Sequence, residues 1–597
     1  MKTPLSETWN LETIFPGGSE SAEFASFLNE LEQDVNSYAE RLGALSAADL
    51  TVDQWGALFD TVQDIYARLR QASAFISCLN AQNVKDNKAK LLTGRLQSLS
   101  AKYTSAGTLL DKLLLDVSDQ QWATLLESPN IAPIAFPVDE RRRRAANKLA
   151  PEQEALITDL SVDGYHAWGT LYGNIIGRMT IPFEKNGETV ELSVGQAQNT
   201  YSSSADRDVR QRAFAAWEEA FSKEAEMIAS CLNHLGGFRL QMYKHRGWDS
   251  ILGEPLDINR MTRETLDTMW AVIEKNKAPL VQFLNRKAKL LGQEKSTWYD
   301  MYAPIGEAST TMTYEEGANF IVEQFRHFDP NLATFAERAF ENAWIEAEDR
   351  AGKRPGGFCT SLPLTKETRI FMTYNGSAST NATLAHELGH AYHSDVLKDH
   401  PTMTQSYAMN VAETASTFAE QIVSDASIKN ASSEEERLAM LEDKVQRAVA
   451  LLMDIHARFI FEQNFYAERE KGLVSVERLN ELMVDAQKVA FQGALDEYHP
   501  HFWASKLHFY STGVPFYNFP YTFGFLFSTG VYAQALQEGP TFAAKYVALL
   551  QDTGRMTVED LAQKHLGADL TKPDFWQAAM DVVLADVEEF MRLTEKK

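Results

Sequence analysis

The stretch TLAHELGHAYHS, residues 383–394, holds His386, Glu387 and His390 in the order H-E-x-x-H. On an α-helix, residues 386 and 390 lie about 40° apart around the axis and about 6 Å along it, so both imidazoles can reach one ion. Glu387 is rotated by about 100° from His386, which places it to take a proton from a metal-bound water rather than to bind the metal. The stretch therefore predicts a zinc site that activates water.

The flanking residues predict a helix around this motif. Ser379, Thr380 or Asn381 could each cap a helix that begins just before Leu384, and residues 400–401, His-Pro, would end it. The motif then lies in the middle of a helix of about five turns.

A catalytic zinc ion usually takes three protein ligands and leaves one position for water. The metzincin pattern would place Gly at 393 and His at 396, but the chain has His393 and Val396, which excludes that class. The other common third ligand is a glutamate on a following helix. The segment TQSYAMNVAETASTFAEQIVSD, residues 404–425, predicts such a helix and contains Glu413 and Glu420.

Glu413 and Glu420 are separated by about 10.5 Å along the helix axis, so only one of them can bind the ion. We predict Glu413, because the small residues Ala412, Ala415 and Ser416 would let its helix approach the motif helix closely. Glu420 is then either a hydrogen-bond partner of a ligand histidine or a solvated glutamate, and both readings stay open.

His393 lies on the ligand face of the motif helix, one turn beyond His390. A fourth ligand there would occupy the position that water needs. We therefore expect His393 to line the cleft or to pack locally.

The remaining sequence is mostly helical. Residues 20–160 show apolar residues at three- and four-residue intervals, which indicates successive amphipathic helices. The segment 179–193 predicts a β-hairpin with a type I′ turn at Asn186-Gly187. TRIFMTYN, residues 368–375, predicts a strand leading toward the motif helix. We predict a helical domain over 1–200, ending in the hairpin, and a catalytic domain over 201–597.

The amino-acid composition restricts the classes of binding partner and the cellular location that we expect. The chain has 57 basic and 82 acidic residues, a net charge of −25, which argues against nucleic acid or an anionic membrane as the main partner. No stretch reaches about 18 consecutive apolar residues. The three cysteines fit neither a disulfide framework nor a C-x-x-C metal site. These features predict a soluble, cytoplasmic protein.

Several segments together resemble the oligoendopeptidase F branch of the thimet-oligopeptidase-like zinc peptidases. They are WNLETIFPG, LAPEQEALITDLSVDGYHAWGTLYGNI, YDMYAPI, GKRPGGF, FMTYNGS, TLAHELGHAYHS, VAETASTFAE, HFY and FYNFPYTFGFLFSTGVY, and they span nearly the whole chain. The resemblance implies a mostly α, two-lobed fold with a deep substrate channel and a small β-sheet beside the zinc site. It implies one zinc ion per chain, endopeptidase action on short unstructured peptides, His386, His390 and Glu413 as ligands, and Glu387 as base.

The resemblance also implies that a late aromatic segment supplies groups that stabilise the oxyanion. His508, Tyr510, Tyr517 and Tyr521 stand where a histidine and tyrosines are expected. The spacing after Tyr517 differs from that of thimet-type members, so which tyrosine donates stays open. One or two of these residues would serve as donors and the others would pack.

The segment GKRPGGF offers candidate residues for substrate binding, and it also bears on two alternative functions. Glycines in GKRPGGF, residues 352–358, permit close backbone approach, and an exposed strand edge can bind an extended peptide main chain. Lys353 and Arg354 could instead capture a terminal carboxylate, which would make the chain a helical zinc carboxypeptidase. A non-catalytic peptide-binding protein is the third possibility, although the proposed ligands and base are all present.

Overall fold

The computed structural model describes residues 4–185, 187–306 and 311–595. It confirms a mostly helical fold with small sheets. The chain forms two compact units, each assembled from three segments. The first unit is Met1–Pro151, Thr310–Ser427 and Gln534–Gly567, and the second is Glu152–Ser309, Ile428–Ala533 and Ala568–Lys597. The sequence-based division after residue 200 stays a prediction, as do the two lobes and the channel. In the described ranges, no helix has the length and apolarity that crossing a bilayer requires.

The first unit begins with a group of five helices: α1 (Ala22–Ala44), α2 (Val52–Gln82), α3 (Asn87–Leu115), α4 (Asp119–Leu126) and α5 (Ala135–Ala146). Ser and Thr side chains cap several of them. Thr51, for example, accepts from Gln54 N while the Gln54 side chain accepts from Thr51 N, a reciprocal capping box at the start of α2. Their apolar faces form one core cluster that includes Phe24, Leu28 and Phe75.

The second unit contributes the next stretch of chain. Its helices are α6 (Pro151–Ser161), α7 (Ala167–Arg178), α8 (Val194–Ser203), α9 (Arg207–Arg246), α10 (Gly253–Ile258), α11 (Arg263–Lys275) and α12 (Lys277–Leu290). A π-helical turn, Val162–His166, joins α6 to α7. Strands β1 (Thr180–Lys185) and β2 (Glu188–Ser193) pair antiparallel, with Lys185 opposite Glu188, which confirms the predicted hairpin. Asn186, the first residue of the predicted turn, lies outside the described residues.

The chain then returns to the first unit. Before this return, the second unit contributes one more strand, β3 (Ser296–Thr297). β3 pairs in parallel with β7 (Leu495–Glu497), which also belongs to the second unit. Four helices of the first unit follow: α13 (Tyr314–Phe328), α14 (Pro330–Glu341), α15 (Ala378–Leu397) and α16 (Met409–Lys429). The last two residues of α16 belong to the second unit.

Three strands between α14 and α15 form a small sheet in the order β4-β6-β5. They are β4 (Ile345–Glu346), β5 (Phe358–Leu362) and β6 (Glu367–Phe371). β6 is central and buried, whereas β5 lies at the edge. The predicted strand over 368–375 is thus present, but its regular part ends at Phe371. Met372 and Tyr374 still donate their backbone N–H groups to the carbonyls of Glu346 and Ala347 beyond that end.

The final helices alternate between the units. The second unit holds α17 (Glu434–Val449), α18 (Ile455–Arg469), α19 (Val476–Ala490), α20 (Phe502–Ser505), most of α21 (Phe519–Glu538) and α24 (Pro573–Leu593). The first unit holds α22 (Ala543–Asp552) and α23 (Val558–Leu566). α22 packs on α15, so the motif helix depends on residues about 150 positions later in the chain.

A buried polar network ties the π-helical turn Val162–His166, α9 and α18 together in the second unit. The Arg239 guanidinium donates to the hydroxyls of Tyr165 (2.9 Å) and Tyr466 (2.5 Å) and to the carbonyl of Ser511 (3.0 Å). On α18, Glu462 accepts a hydrogen bond from Phe516 N at 3.2 Å. Both side chains are almost fully buried, so their protonation states affect stability.

Burial raises the pKa of the Glu462 carboxyl to about 8, and the Arg239 charge only partly opposes this effect. An unfolded glutamate ionises near pH ~4.3, so the folded chain holds this proton more tightly than the unfolded chain does. The stabilisation from Glu462 is therefore complete below about pH 4.3 and is lost as the pH rises toward 8.

We predict that Glu462→Gln raises the melting temperature relative to the unsubstituted chain, by about 2 °C or more at pH 8, and that the gain shrinks as the pH falls toward 5. The amide keeps an acceptor for Phe516 N and never ionises. Thermal unfolding across this pH range measures the effect. Glu468→Gln on the same helix is the control, because a hydrogen bond from Arg478 lowers the Glu468 pKa and no such gain should follow. A pH-independent difference for Glu462→Gln would contradict the assignment.

Candidate metal centre

The motif helix α15 spans Ala378–Leu397 and contains H-E-x-x-H in its middle, as predicted. Its N-cap is Ser377, whose side chain accepts from Thr380 N at 3.2 Å. The prediction of a cap at Ser379, Thr380 or Asn381 is therefore wrong by two or more residues. The helix begins at Ala378, upstream of the predicted start. Ser377, the residue before it, is held by a hydrogen bond from its backbone N–H to the Asn375 side chain.

α15 and α16 approach each other unusually closely at Gly389. A Cβ atom on Gly389 would lie 2.4 Å from the carbonyl oxygen of Ala415 and 2.6 Å from the Cα of Ser416, which real side chains do not tolerate. The small residues predicted to allow this approach are thus matched by a glycine inside the motif itself. Backbone contact at this point carries Glu413 to the face of α15 that presents the two histidines.

Three side chains converge where the helices meet. Glu413 Oε2 lies 3.3 Å from His386 Nε2 and 3.5 Å from His390 Nε2. One ligand atom from each residue lies within 4.8 Å of the others. Tetrahedral coordination with bonds of about 2.0–2.1 Å separates donor atoms by about 3.4 Å, so the spacing fits one small divalent ion. Two imidazoles and a carboxylate are also a donor set that zinc accepts.

Glu413 is poised as an anion. Burial would raise the pKa of this carboxyl, but the hydrogen bond with His386 and the neighbouring His390 lower it to about 2. Burial lowers the pKa of His390 to about 4, which leaves this imidazole neutral near pH 7. An ionised carboxylate and a neutral imidazole are the forms that bind a metal.

Glu420 contacts the far side of His386. Its Oε2 lies 2.9 Å from His386 Nδ1, which leaves Nε2 directed toward Glu413. Of the two readings that the sequence left open, the structure supports the hydrogen-bond partner. Such a carboxylate fixes the tautomer and the ring orientation of a ligand histidine. Burial would lower the pKa of His386, but hydrogen bonds to Glu413 and Glu420 outweigh it and raise the pKa to about 10.

Glu387 sits beside the donor set with one carboxylate oxygen free. Its Oε2 is buried and has no hydrogen-bond partner among the described residues. Burial raises the pKa of Glu387 to about 7. A carboxyl group with a pKa near neutrality and an unused oxygen is suited to accept and return a proton.

His393 takes no part in the donor set. It is fully buried, its Nε2 lies 2.9 Å from Thr553 Oγ1, and its ring stacks on Tyr407 at 4.1 Å. This confirms the expected local packing. Tyr407 itself lines the site, a role that the sequence did not reveal because no motif residue marks it.

A cavity of about 480 Å³ opens over these residues. Gly357 and the β5 residues Phe358 to Ser361 also line this cavity, so the edge strand of the sheet borders the candidate centre. Lys353 is not available to receive a substrate carboxylate, because its ammonium donates to the carbonyls of Glu348 and Met372 and its side chain is 3% exposed.

The late aromatic residues lie in the second unit. His508, Tyr517 and Tyr521 form a half-buried cluster with ring centroids 5.1 to 6.1 Å apart. Burial lowers the pKa of His508 to about 4, so this imidazole is neutral near pH 7. Phe516, just before Tyr517, has φ of 52°, a strained value for a residue with a side chain.

Tyr510 is separate from this cluster. Its ring stacks face to face on Tyr172 at 3.6 Å, and its hydroxyl donates to the Trp503 carbonyl at 3.2 Å. Only 2% of the residue is exposed. These contacts favour a packing role for Tyr510 within the second unit.

The fold and the donor set define a class, the metal-dependent peptidases with H-E-x-x-H on one helix and a carboxylate on the next. The model of Peptidase family M3 matches residues 200–582, and the chain belongs to this family, whose members depend on a metal ion. A second model, described as Oligopeptidase F, matches residues 114–181.

Relatives align along nearly the whole chain. Oligopeptidase PepF of Bacillus subtilis is 23% identical over 99% of this chain and 88% of its own length. Group B oligopeptidase PepB of Streptococcus agalactiae is 24% identical over 98% of this chain and 97% of its own length. The crystal structure of oligoendopeptidase-F from Enterococcus faecium superposes with a TM-score of 0.72 at 20% identity and covers 96% of this chain and 99% of that one.

We predict that Gly389→Ala destabilises the chain by about 1–3 kcal/mol, the usual cost of overpacking, and weakens metal binding by moving Glu413. Thermal unfolding and metal content after dialysis measure the two effects. Gly43→Ala in α1 is the matched control, since a Cβ there meets no atom within 4 Å and the change should be neutral or slightly stabilising. Full metal content and unchanged stability in Gly389→Ala would contradict the close-approach argument.

Proposed function

We propose that this chain is a zinc endopeptidase that cleaves internal bonds of short unstructured peptides. The observation that supports it best is the convergence of His386, His390 and Glu413 beside the unpartnered oxygen of Glu387. One zinc ion held by these three residues would supply a Lewis acid and lower the pKa of water toward neutrality.

Glu387 has the properties of the general base. Its free Oε2 can hold the attacking water, take the proton as the water adds to the scissile carbonyl, and deliver that proton to the leaving amine. Its pKa of about 7 suits both transfers near neutral pH. Glu420 keeps His386 oriented throughout, through its hydrogen bond to Nδ1.

The edge strand β5 is our candidate for holding the substrate. It faces the cavity with backbone groups that no other strand pairs in the described part of the chain. An extended peptide can add there as a further strand, bound through its main chain with little regard for side chains. Gly357, just before β5, leaves space between this strand and its neighbours, since a Cβ would lie 3.2 Å from the Phe371 carbonyl oxygen and 3.4 Å from Glu387 Oε1.

For the oxyanion we propose donors from His508, Tyr517 and Tyr521. The support is the family pattern, together with the half-buried clustering of their rings within the second unit. Hydroxyl or imidazole donors aimed at the developing charge would add the electrostatic stabilisation that a single metal leaves incomplete. Tyr510 also stands in that pattern, but its hydroxyl is already bonded to Trp503.

The alternatives fare less well. A carboxypeptidase needs a free cation beside the site, and Lys353 is occupied by backbone carbonyls while Arg354 lies over the Phe358 ring at 5.3 Å. A purely binding protein has no need of the complete donor set and base.

Oligopeptide substrates are supported by the names of the relatives. We also propose a cytoplasmic location and a catalytic domain that begins near residue 201.

We predict that Glu387→Gln lowers the rate of peptide cleavage by about two to four orders of magnitude, the usual contribution of a general base. Zinc content should stay at one ion per chain, because the three ligands are untouched. Glu413→Gln is the contrasting variant and should lose both zinc and activity. Elemental analysis with a quenched-peptide assay measures both. Full activity in Glu387→Gln would remove it from the mechanism.

We predict that peptides of about ten residues, acetylated at one end and amidated at the other, are cleaved internally. An endopeptidase needs no free terminus, whereas a carboxypeptidase requires the terminal carboxylate. Mass spectrometry of the fragments identifies the cleaved bonds. Resistance of every doubly blocked peptide, with cleavage of the same peptides carrying free carboxylates, would establish the carboxypeptidase instead.

A further inference from the structure

The second unit contains a cavity of about 1150 Å³, which we call the α9 trough. Its walls are the π-helical turn Val162–His166, the carboxyl-terminal part of α9 and the last turn of α18. Small-molecule sites typically occupy about 300–1,000 Å³, so the trough is large enough for a ligand of that size or somewhat larger. π-Helical turns occur often at functional sites. None of the residues proposed above for catalysis lines the trough.

Arg469, the last residue of α18, is fixed on one wall. Its Nε donates to the carbonyl of Asn233 on α9 at 2.8 Å. Asn233 is itself buried and held by two hydrogen bonds to the backbone of Val474, at 2.8 and 2.9 Å. The guanidinium is therefore held at its Nε, while its two terminal nitrogens make no hydrogen bond within the part of the chain that the structure describes.

Gly237 makes the room for this guanidinium. A Cβ at Gly237 would lie 2.1 Å from Arg469 Nη2 and 2.8 Å from Cζ. The neighbouring Gly236 likewise admits the ring of Phe465, to which a Cβ would come within 2.8 Å. Two glycines inside a helix cost about 1 kcal/mol each relative to alanine, so close packing of α18 and its arginine on α9 offsets a real propensity loss.

Arg469 forms no ion pair with another residue that the structure describes. No carboxylate of the described residues lies within 4 Å of its guanidinium, whereas nearby arginines are paired: Arg246 with Glu154 and Arg478 with Glu468. A held guanidinium without a carboxylate partner suits recognition of a carboxylate ligand by a charge-assisted hydrogen bond. Asp163, Asp249, Glu470 and the exposed Lys244 also line the trough. The three carboxylates outnumber the two cations, which disfavours ligands with several negative charges.

Aromatic rings supply the remaining surface. Trp168 stacks on the exposed His234 at 4.7 Å, Phe238 stacks on Tyr165 at 4.9 Å, and Trp248 lies 5.1 Å from Tyr243. Trp168, Phe238 and Trp248 are half-buried and line the trough. They offer apolar faces to one large side chain beside the carboxylate.

We propose that the α9 trough binds the carboxyl end of a peptide that terminates in an aromatic or large apolar residue. Arg469 receives the terminal carboxylate and the aromatic rings receive the last side chain. The arginine, the aromatic rings and the three acidic residues of the lining together favour a ligand with a single carboxylate next to an apolar group. The inference rests on the proposed function, since peptides and their cleavage products are its ligands.

The test is calorimetric binding of N-acetyl-Ala-Phe and of its carboxamide to the full chain. Both lack a bond that an endopeptidase would readily cleave. The free acid should bind at least about tenfold more tightly than the amide, the scale of one charge-assisted hydrogen-bond pair. Free phenylalanine is the third ligand, and it separates recognition of a peptide end from recognition of an amino acid. Equal binding of acid and amide overturns the proposal.

Substitutions locate the effect. Arg469→Gln should reduce the preference for the acid to less than about twofold, and Gly237→Ala should do the same by displacing the guanidinium without removing its charge. Arg478→Gln is the matched control, because this arginine is paired and lies outside the trough. A preference that survives Arg469→Gln in a folded chain overturns the proposal, and if that variant fails to fold, Gly237→Ala and the acid–amide comparison still decide.

A carboxylate could also bind a metal ion, so the titrations are repeated after treatment with a chelator. A preference that disappears with the metal belongs to the candidate metal centre and overturns the trough assignment. A preference that persists, and that depends on Arg469, supports it. If the chain cleaves no peptide but keeps this preference, the proposed endopeptidase function fails while the binding site stands.

Discussion

The contact between Gly389 and the backbone of Ala415 and Ser416 sets the geometry of the candidate centre. A side chain at 389 would force the two helices apart, because a Cβ would lie 2.4 Å from the Ala415 carbonyl. Helix axes normally pack 8–10 Å apart, at a distance set by the side chains between them. Removing those side chains lets Glu413 reach two histidines on the neighbouring helix. The protein thus achieves a metal-sized spacing through backbone approach rather than through long flexible ligands.

Much of this centre could be predicted from local sequence. The spacing of His386 and His390 follows from helical periodicity, and the choice of Glu413 follows from the small residues around it. The contact of Glu420 with His386 could not be chosen, since it depends on the angle between two helices. Nor could the edge position of β5, because a single strand pattern does not say which neighbour it lacks.

The second unit was harder to predict for a related reason. Its segments are joined by contacts between residues that are far apart in the chain, such as Arg239 with Ser511 and Asn233 with Val474. Amphipathic periodicity identifies the helices but not their partners. The aromatic stretch around 508–521 looks uniform in sequence, yet its members separate into a half-buried cluster and the stacked Tyr510. Packing alone makes that distinction.

The order of the segments has a consequence for biosynthesis. α15 packs on α22, and His393 is hydrogen-bonded to Thr553, so the helix with the candidate metal ligands gains its partner only after about 550 residues have been made. Domains usually fold as units while the ribosome elongates the chain at about 5–20 residues per second. The first unit therefore becomes complete only after Gln534–Gly567 has been made, and until then the apolar face of α15 that α22 covers has no partner.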